Sequence, residues 1–144
     1  MKSKVPLILM EQIIMLLVFA LASALCLKAF VISDKMSRRS QNRDIAVTLV
    51  QDTAEMIKQC GGVDGAVDIL GAEYDGETLR MYYDEEWNEG GSTFLLEAKN
   101  EPDETLGLGK ARVLAEEYET KDILFEITVA WQSDVLLEAA HNGN

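Results

Sequence analysis

Leu7-Ile8-Leu9-Met10-Glu11-Gln12-Ile13-Ile14-Met15-Leu16-Leu17-Val18-Phe19-Ala20 opens an apolar run that carries on through Leu25, Leu27, Ala29 and Phe30 to Ile32. At about 25 residues the run exceeds the roughly 20 that a helix needs to cross a bilayer core. Glu11 is the single acid inside it. A carboxylate in hydrocarbon costs roughly 2.5–3.5 kcal/mol on insertion scales, so a sequence that keeps one there supplies it with a partner. The expected object is a transmembrane helix over 7–32 with one costly acid near its start.

Downstream of the run the chain stays free of proline and glycine from Ser33 to Cys60. Ile45, Leu49, Thr53 and Met56 fall on one helical face, with Ala46, Val50, Ala54 and Ile57 beside them. An amphipathic continuation over 33–60 is predicted, stopped by Gly61-Gly62. Together the two parts make one helix of roughly 50 residues, about 75 Å long at 1.5 Å per residue. The stripe on its second half requires a surface to cover it.

Residues 61–138 are expected to supply that surface as an acidic α+β head, followed by a polar tail over 139–144. Asp64 is predicted to cap a short helix running through Leu70, with Val63, Val67 and Leu70 inward. Thr78 to Tyr83 reads as a strand and Ser92 to Ala98 as its neighbour, joined by an exposed loop from Asp84 to Gly91. Lys110 to Tyr118 and Ile123 to Trp131 read as a second pair, and the short Glu119–Asp122 connection makes it a hairpin. The predicted fold class is α+β: a long N-terminal helix packed on a small antiparallel sheet of about four strands.

Charge is spread unevenly along the chain. Residues 1–43 carry seven basic and two acidic residues, net +5, whereas 44–144 carry six basic and 23 acidic, net −17. An acidic head offers no basic surface to neutralise phosphates, which argues against a nucleic-acid partner. Cys26 and Cys60, 34 residues apart along a helix, are too distant to bridge, so no disulfide is expected. His141, the only histidine, sits in the polar tail without partners for catalysis or ligation. No nucleophile motif, phosphate loop or dinucleotide fingerprint is present, and an enzyme is the class with least support.

Asp84, Glu85, Glu86 and Glu89 form one acidic cluster and Glu101, Asp103 and Glu104 another. Hard oxygen ligands suit Ca2+, but the spacing matches no EF-hand loop. The expected reading is a solvated acidic surface with no cofactor and no metal. Trp87 and Trp131 are expected to be core or loop anchors.

The N-terminus can be read in four ways. Lys2, Lys4 and Ala22-Ser23-Ala24 have the outline of a cleavable secretory signal, but the apolar run continues well past that point. A lipoprotein signal needs a small residue before the modified cysteine, and Leu25 precedes Cys26. A plain anchor leaves Glu11 unexplained.

The fourth reading does not. A short basic leader over 1–6, an acid close to the start of an apolar helix, the small residues Ala20, Ala22, Ser23 and Ala24, and an amphipathic continuation together resemble the N-terminal segment of type IV pilins and type II secretion pseudopilins. In that family the acid lies four residues after the processed N-terminus and neutralises a neighbouring subunit's terminal amine. The resemblance gives that assembly role to Glu11. Leu7, Ile14, Leu17, Val18, Ala22, Leu25 and Phe30 would then belong to the packing surface within the membrane. It implies a non-enzymatic subunit whose partners are other pilin-like subunits, their assembly machinery and the membrane. The equivalent cut would fall between Pro6 and Leu7, where the family has glycine and often a following aromatic residue. An uncleaved or minor subunit is therefore expected.

Orientation is weighed between two signals. Lys2 and Lys4 flank the span on one side, and Lys28, Lys35, Arg38, Arg39 and Arg43 on the other, a count that favours a cytoplasmic head. The resemblance implies a cytoplasmic N-terminus and an extracytoplasmic head at the plasma membrane, and Glu11 is the more specific of the two signals. The alternative function is a bitopic membrane adaptor whose acidic cytoplasmic head binds a basic partner.

Overall fold

The computed structural model describes residues 4–102 and 107–132. The chain divides into two units, Met1–Gln41 and Asn42–Asn144. One helix, α1 (Val5–Cys60), runs through the first unit and into the second. Pro6 sits in its first turn, where the missing N–H has no intrahelical partner to lose.

The end of α1 is built by its two glycines. Gly61 takes a left-handed conformation (φ 74°), which a residue with a Cβ adopts only at a cost. Gly61 N–H then donates to Lys58 O at 3.3 Å and Gly62 N–H to Ile57 O at 3.0 Å. These are the paired hydrogen bonds of a Schellman motif, which satisfy carbonyls left over at the last turn.

A second helix, α2 (Val63–Leu70), follows at once and closes on Gly71. Its N-cap is Gly62 rather than Asp64, which lies one position inside the first turn and makes no capping hydrogen bond. The double glycine leaves no room for an intervening cap residue, so the acid contributes its charge to the helix N-terminus instead. Val63 and Ala66 are buried, with Val67 and Leu70 packed at the edge of the core.

Five strands complete the second unit: β1 (Glu73–Tyr74), β2 (Thr78–Tyr83), β3 (Phe94–Glu101), β4 (Leu108–Glu117) and β5 (Ile123–Gln132). They form one antiparallel sheet in the order β1-β2-β3-β4-β5. The expected α+β class, a long helix on an antiparallel sheet, is the observed one, with five strands instead of about four. The additional strand is β1, whose two residues pair with Arg80 and Leu79 of β2. Two residues are too few to show the period-two alternation by which strands are recognised in a sequence.

Register places the two sheet faces unambiguously. Leu79, Ala98, Val113 and Ile127 lie in one cross-strand row, and Met81, Leu96, Ala115 and Phe125 in the next. These rows face α1 and α2. From α1 the buried residues are Ala46, Val50, Thr53, Ala54 and Ile57. Ile45, placed by the sequence in the leading column, is instead exposed, and Leu49 and Met56 are only partly buried. The face that docks is thus rotated by one column, and its small residues Ala46 and Ala54 allow close approach of helix to sheet.

The opposite face is polar, with one apolar island. Leu95 is buried there, beside Tyr82 in the register. Tyr82 meets Tyr118 edge-on with ring centroids 5.8 Å apart. The Lys121 ammonium lies 4.7 Å over the Tyr118 ring.

Candidate functional site

The apolar first half of α1 is long and apolar enough to cross a membrane, and none of its most apolar stretch is buried within the protein. Leu7, Ile14, Leu17, Val18, Leu25 and Phe30 are all exposed, as is Ala22. Such a surface in water would be strongly unfavourable, at roughly 25 cal/mol per Å2 of apolar area, so the helix requires lipid or other helices around it. Ser23 turns its hydroxyl back to Phe19 O at 2.9 Å, which satisfies the polar group inside the helix and suits it to an apolar surrounding.

Glu11 sits in a shallow surface dip with Leu7, Met10, Ile14 and Met15. Residues one turn away on either side are Leu7, Ile8, Ile14 and Met15, none of which can pair with a carboxylate. Among the described residues Glu11 has no hydrogen bond and no ion pair.

The second unit shows the opposite arrangement. Arg80 bridges Asp75 at 2.7 Å and Glu97 at 3.2 Å. Lys99 meets Glu77 at 2.7 Å, Lys110 meets Glu101 at 3.6 Å and Lys121 meets Glu116 at 2.9 Å. Arg112 grips both carboxylate oxygens of Glu126, at 2.8 and 2.6 Å. Asp75 is held well below the usual carboxylate range, at about 2, first by the Thr78 and Glu77 backbone N–H groups and then by Arg80. The Glu126 carboxyl is likewise lowered, chiefly by its hydrogen bonds from Arg112.

The acidic loop is organised around its own residues. One Asp84 oxygen accepts the Glu86 and Asn88 backbone N–H groups, each at 2.9 Å, and this bonding lowers its pKa. Trp87, at φ 63°, stacks on Phe94 with ring centroids 4.2 Å apart and donates to Asn42 Oδ1 at 3.3 Å. Among the described residues no group of three or more His, Cys, Asp or Glu is placed to hold a metal. Asp103 and Glu104 of the second acidic cluster, and His141, lie outside the described residues.

A surface hollow of about 310 Å3 lies beside β2, lined by Gly71, Glu73, Arg80, Met81, Tyr82, Glu89 and Gly90. Its one cation, Arg80, is already engaged by two carboxylates. Cys26 and Cys60 are both free thiols.

Trp131, expected to be an anchor, packs against the core at the end of β5, and its particular contacts were not foreseen. Its indole N–H donates to Gly61 O at 2.9 Å, across 70 residues of chain. The ring lies against Gly109, where an added Cβ would fall inside the indole. The only signal for it in the sequence is a glycine within an otherwise regular strand, which marks a close approach.

No family model, no curated protein and no solved structure matches the chain.

Proposed function

We propose that this chain is a non-enzymatic, single-pass membrane subunit that assembles with related subunits through α1, in the manner of type IV pilins and type II secretion pseudopilins. The reading is carried by one observation: an exposed carboxylate, Glu11, without a partner among the described residues, on a helix apolar enough to cross a membrane. In an assembly, Glu11 takes a cationic donor from a neighbouring subunit, and each group removes the other's cost of burial. Leu7, Ile14, Leu17, Val18, Ala22, Leu25 and Phe30 supply the surrounding helix–helix contacts. The N-terminus lies in the cytoplasm and the acidic head outside it, at the plasma membrane.

The test is Glu11→Ala in the native host. Insertion, read as resistance to carbonate extraction, stays intact. Incorporation into filament or complex falls by roughly two to four orders of magnitude, because losing one partner of a desolvated ion pair costs roughly 3–5 kcal/mol. Unchanged incorporation overturns the role. A second reading rests on the excess of basic residues after the span: a bitopic adaptor with its acidic head in the cytoplasm. Protease added to intact cells separates the two, since a head that resists digestion there belongs to the adaptor.

A further inference from the structure

The two edges of the sheet are treated differently. On one side β1 pairs with Leu79 and Arg80 of β2. Past it the loop from Asp84 to Gly91 folds back on the same strand: Gly90 N–H donates to Tyr82 O at 3.0 Å, and Tyr83 forms a bridge with Glu89. The other side is β5, and among the described residues no strand lies beyond it. Its register against β4 is regular from Phe125 to Gln132, about 27 Å of strand, after a bulge that takes up Leu124. Edges left to solvent are ordinarily blunted by lysine, by proline or by shortness. Residues 125–132 hold no lysine, proline or glycine, and their single charge is Glu126. Alternate N–H and C=O groups along this stretch point away from β4, ready to pair.

We infer that the β5 edge receives an extended segment of another protein as a sixth strand, apolar at alternate positions and basic between them. The apolar positions lie beside Phe125, Ile127 and Trp131, which the core leaves half-buried. The basic positions lie on the opposite face, beside Glu126 and Thr128. Charge selects this partner. Residues 44–144 carry net −17, which sets two copies of the head against each other edge to edge. A second copy arriving in head-to-tail fashion offers the two residues of β1, too short a template to continue the sheet. On β4, β5 and the turn between them each cation is already held by a carboxylate: Lys110 by Glu101, Arg112 by Glu126 and Lys121 by Glu116. Glu119 in that turn is exposed and has no hydrogen bond or ion pair among the described residues. An acidic segment thus meets an acidic surplus with its cations engaged, whereas a basic segment neutralises it.

The edge lies wholly in the second unit, so its test is independent of where α1 resides. The full chain in a non-ionic detergent is titrated with an eight-residue peptide that alternates valine and lysine. Binding is read by fluorescence anisotropy and its place by amide hydrogen exchange. The expected result is a roughly tenfold slowing of those β5 amides that are not bonded to β4, with exchange in β1 and β2 unchanged. Affinity falls with salt, and the valine–glutamate analogue binds at least roughly tenfold more weakly. A valine–lysine peptide methylated at its backbone nitrogens keeps the charge and apolar surface but cannot donate to the edge, and it gives no slowing at β5. Equal binding of the methylated peptide, equal binding of the acidic one, or slowing elsewhere than β5 overturns the inference. Outer β5 amides that are already slow without peptide overturn it too. Recovery on dilution to the monomer then names a second copy as the occupant, and recovery on truncation after Gln132 names residues 133–144.

Discussion

Ile57→Ala removes three carbons from a side chain that is fully buried between α1 and the sheet, with 0% of its surface exposed. At roughly 0.8 kcal/mol for each methylene-sized group, lost transfer energy alone comes to about 2.4 kcal/mol. A cavity term follows, because the flanking residues Val50, Ala54 and Leu79 belong to a packed core that relaxes only in part, and the total reaches about 3–4 kcal/mol. Ile45→Ala deletes the same atoms from a residue that is 40% exposed, and costs about 1 kcal/mol or less. The assay is urea unfolding of the full chain in mild detergent, followed by tryptophan emission. The protein has two tryptophans, Trp87 and Trp131, both in the second unit, so the signal reports on the head without interference from the apolar segment. With a urea slope near 1.5 kcal/mol per molar, Ile57→Ala moves the midpoint down by about 2 M and Ile45→Ala by less than about 0.7 M. Equal shifts, or a larger one at Ile45, would refute the docked face of the helix.

Gly109→Ala should displace the Trp131 indole and break its bond to Gly61 O, lowering stability by roughly 1–3 kcal/mol with a red-shifted emission, whereas Trp131→Phe, which loses the N–H and part of the ring while water takes up the exposed carbonyl, costs roughly 1 kcal/mol. The pH profile follows from Asp75, whose carboxyl is lowered from 3.8 to about 2 in the folded chain. A depressed carboxylate contributes stability that is complete above its unfolded value and is lost as pH falls, here between about 4 and 2. The stability gap between the protein and Asp75→Asn, read from urea midpoints at stepped pH, should therefore be constant above pH 4 and close below it; a gap independent of pH would rule this out. Arg112→Met should cost less than about 1 kcal/mol despite its bidentate bond, because both partners are solvated, and a larger midpoint shift would contradict that.

Much of this architecture was legible because it depends on local signals. Gly61-Gly62 ends the helix where expected, and Thr78–Tyr83 is a strand over its whole predicted span. What escaped was set at a distance. Two adjoining apolar columns run along the second half of α1, and periodicity alone cannot say which one meets the sheet; the choice falls to the column with Ala46 and Ala54, where a larger side chain would hold the layers apart. β1 exists through its pairing with β2, and Asp64 lost its capping position because α2 begins directly after the Schellman turn. Of the proposed site residues, Glu11 and the apolar positions around it could be named from sequence because an acid within an apolar run is conspicuous by type alone.

The sheet is a plain meander in which each strand lies beside its neighbours in sequence. Every strand pairing is therefore a short loop closure, and the hairpins can zip in succession without waiting for a remote segment. The helix docks differently: Trp131 reaches back 70 residues to Gly61. During synthesis the apolar face from Ala46 to Ile57 emerges long before the last strand of the sheet. The core is then complete only when β5 arrives with Val129, and a chain stopped before it leaves Val113 and Ala111 of β4 without their cross-strand partners.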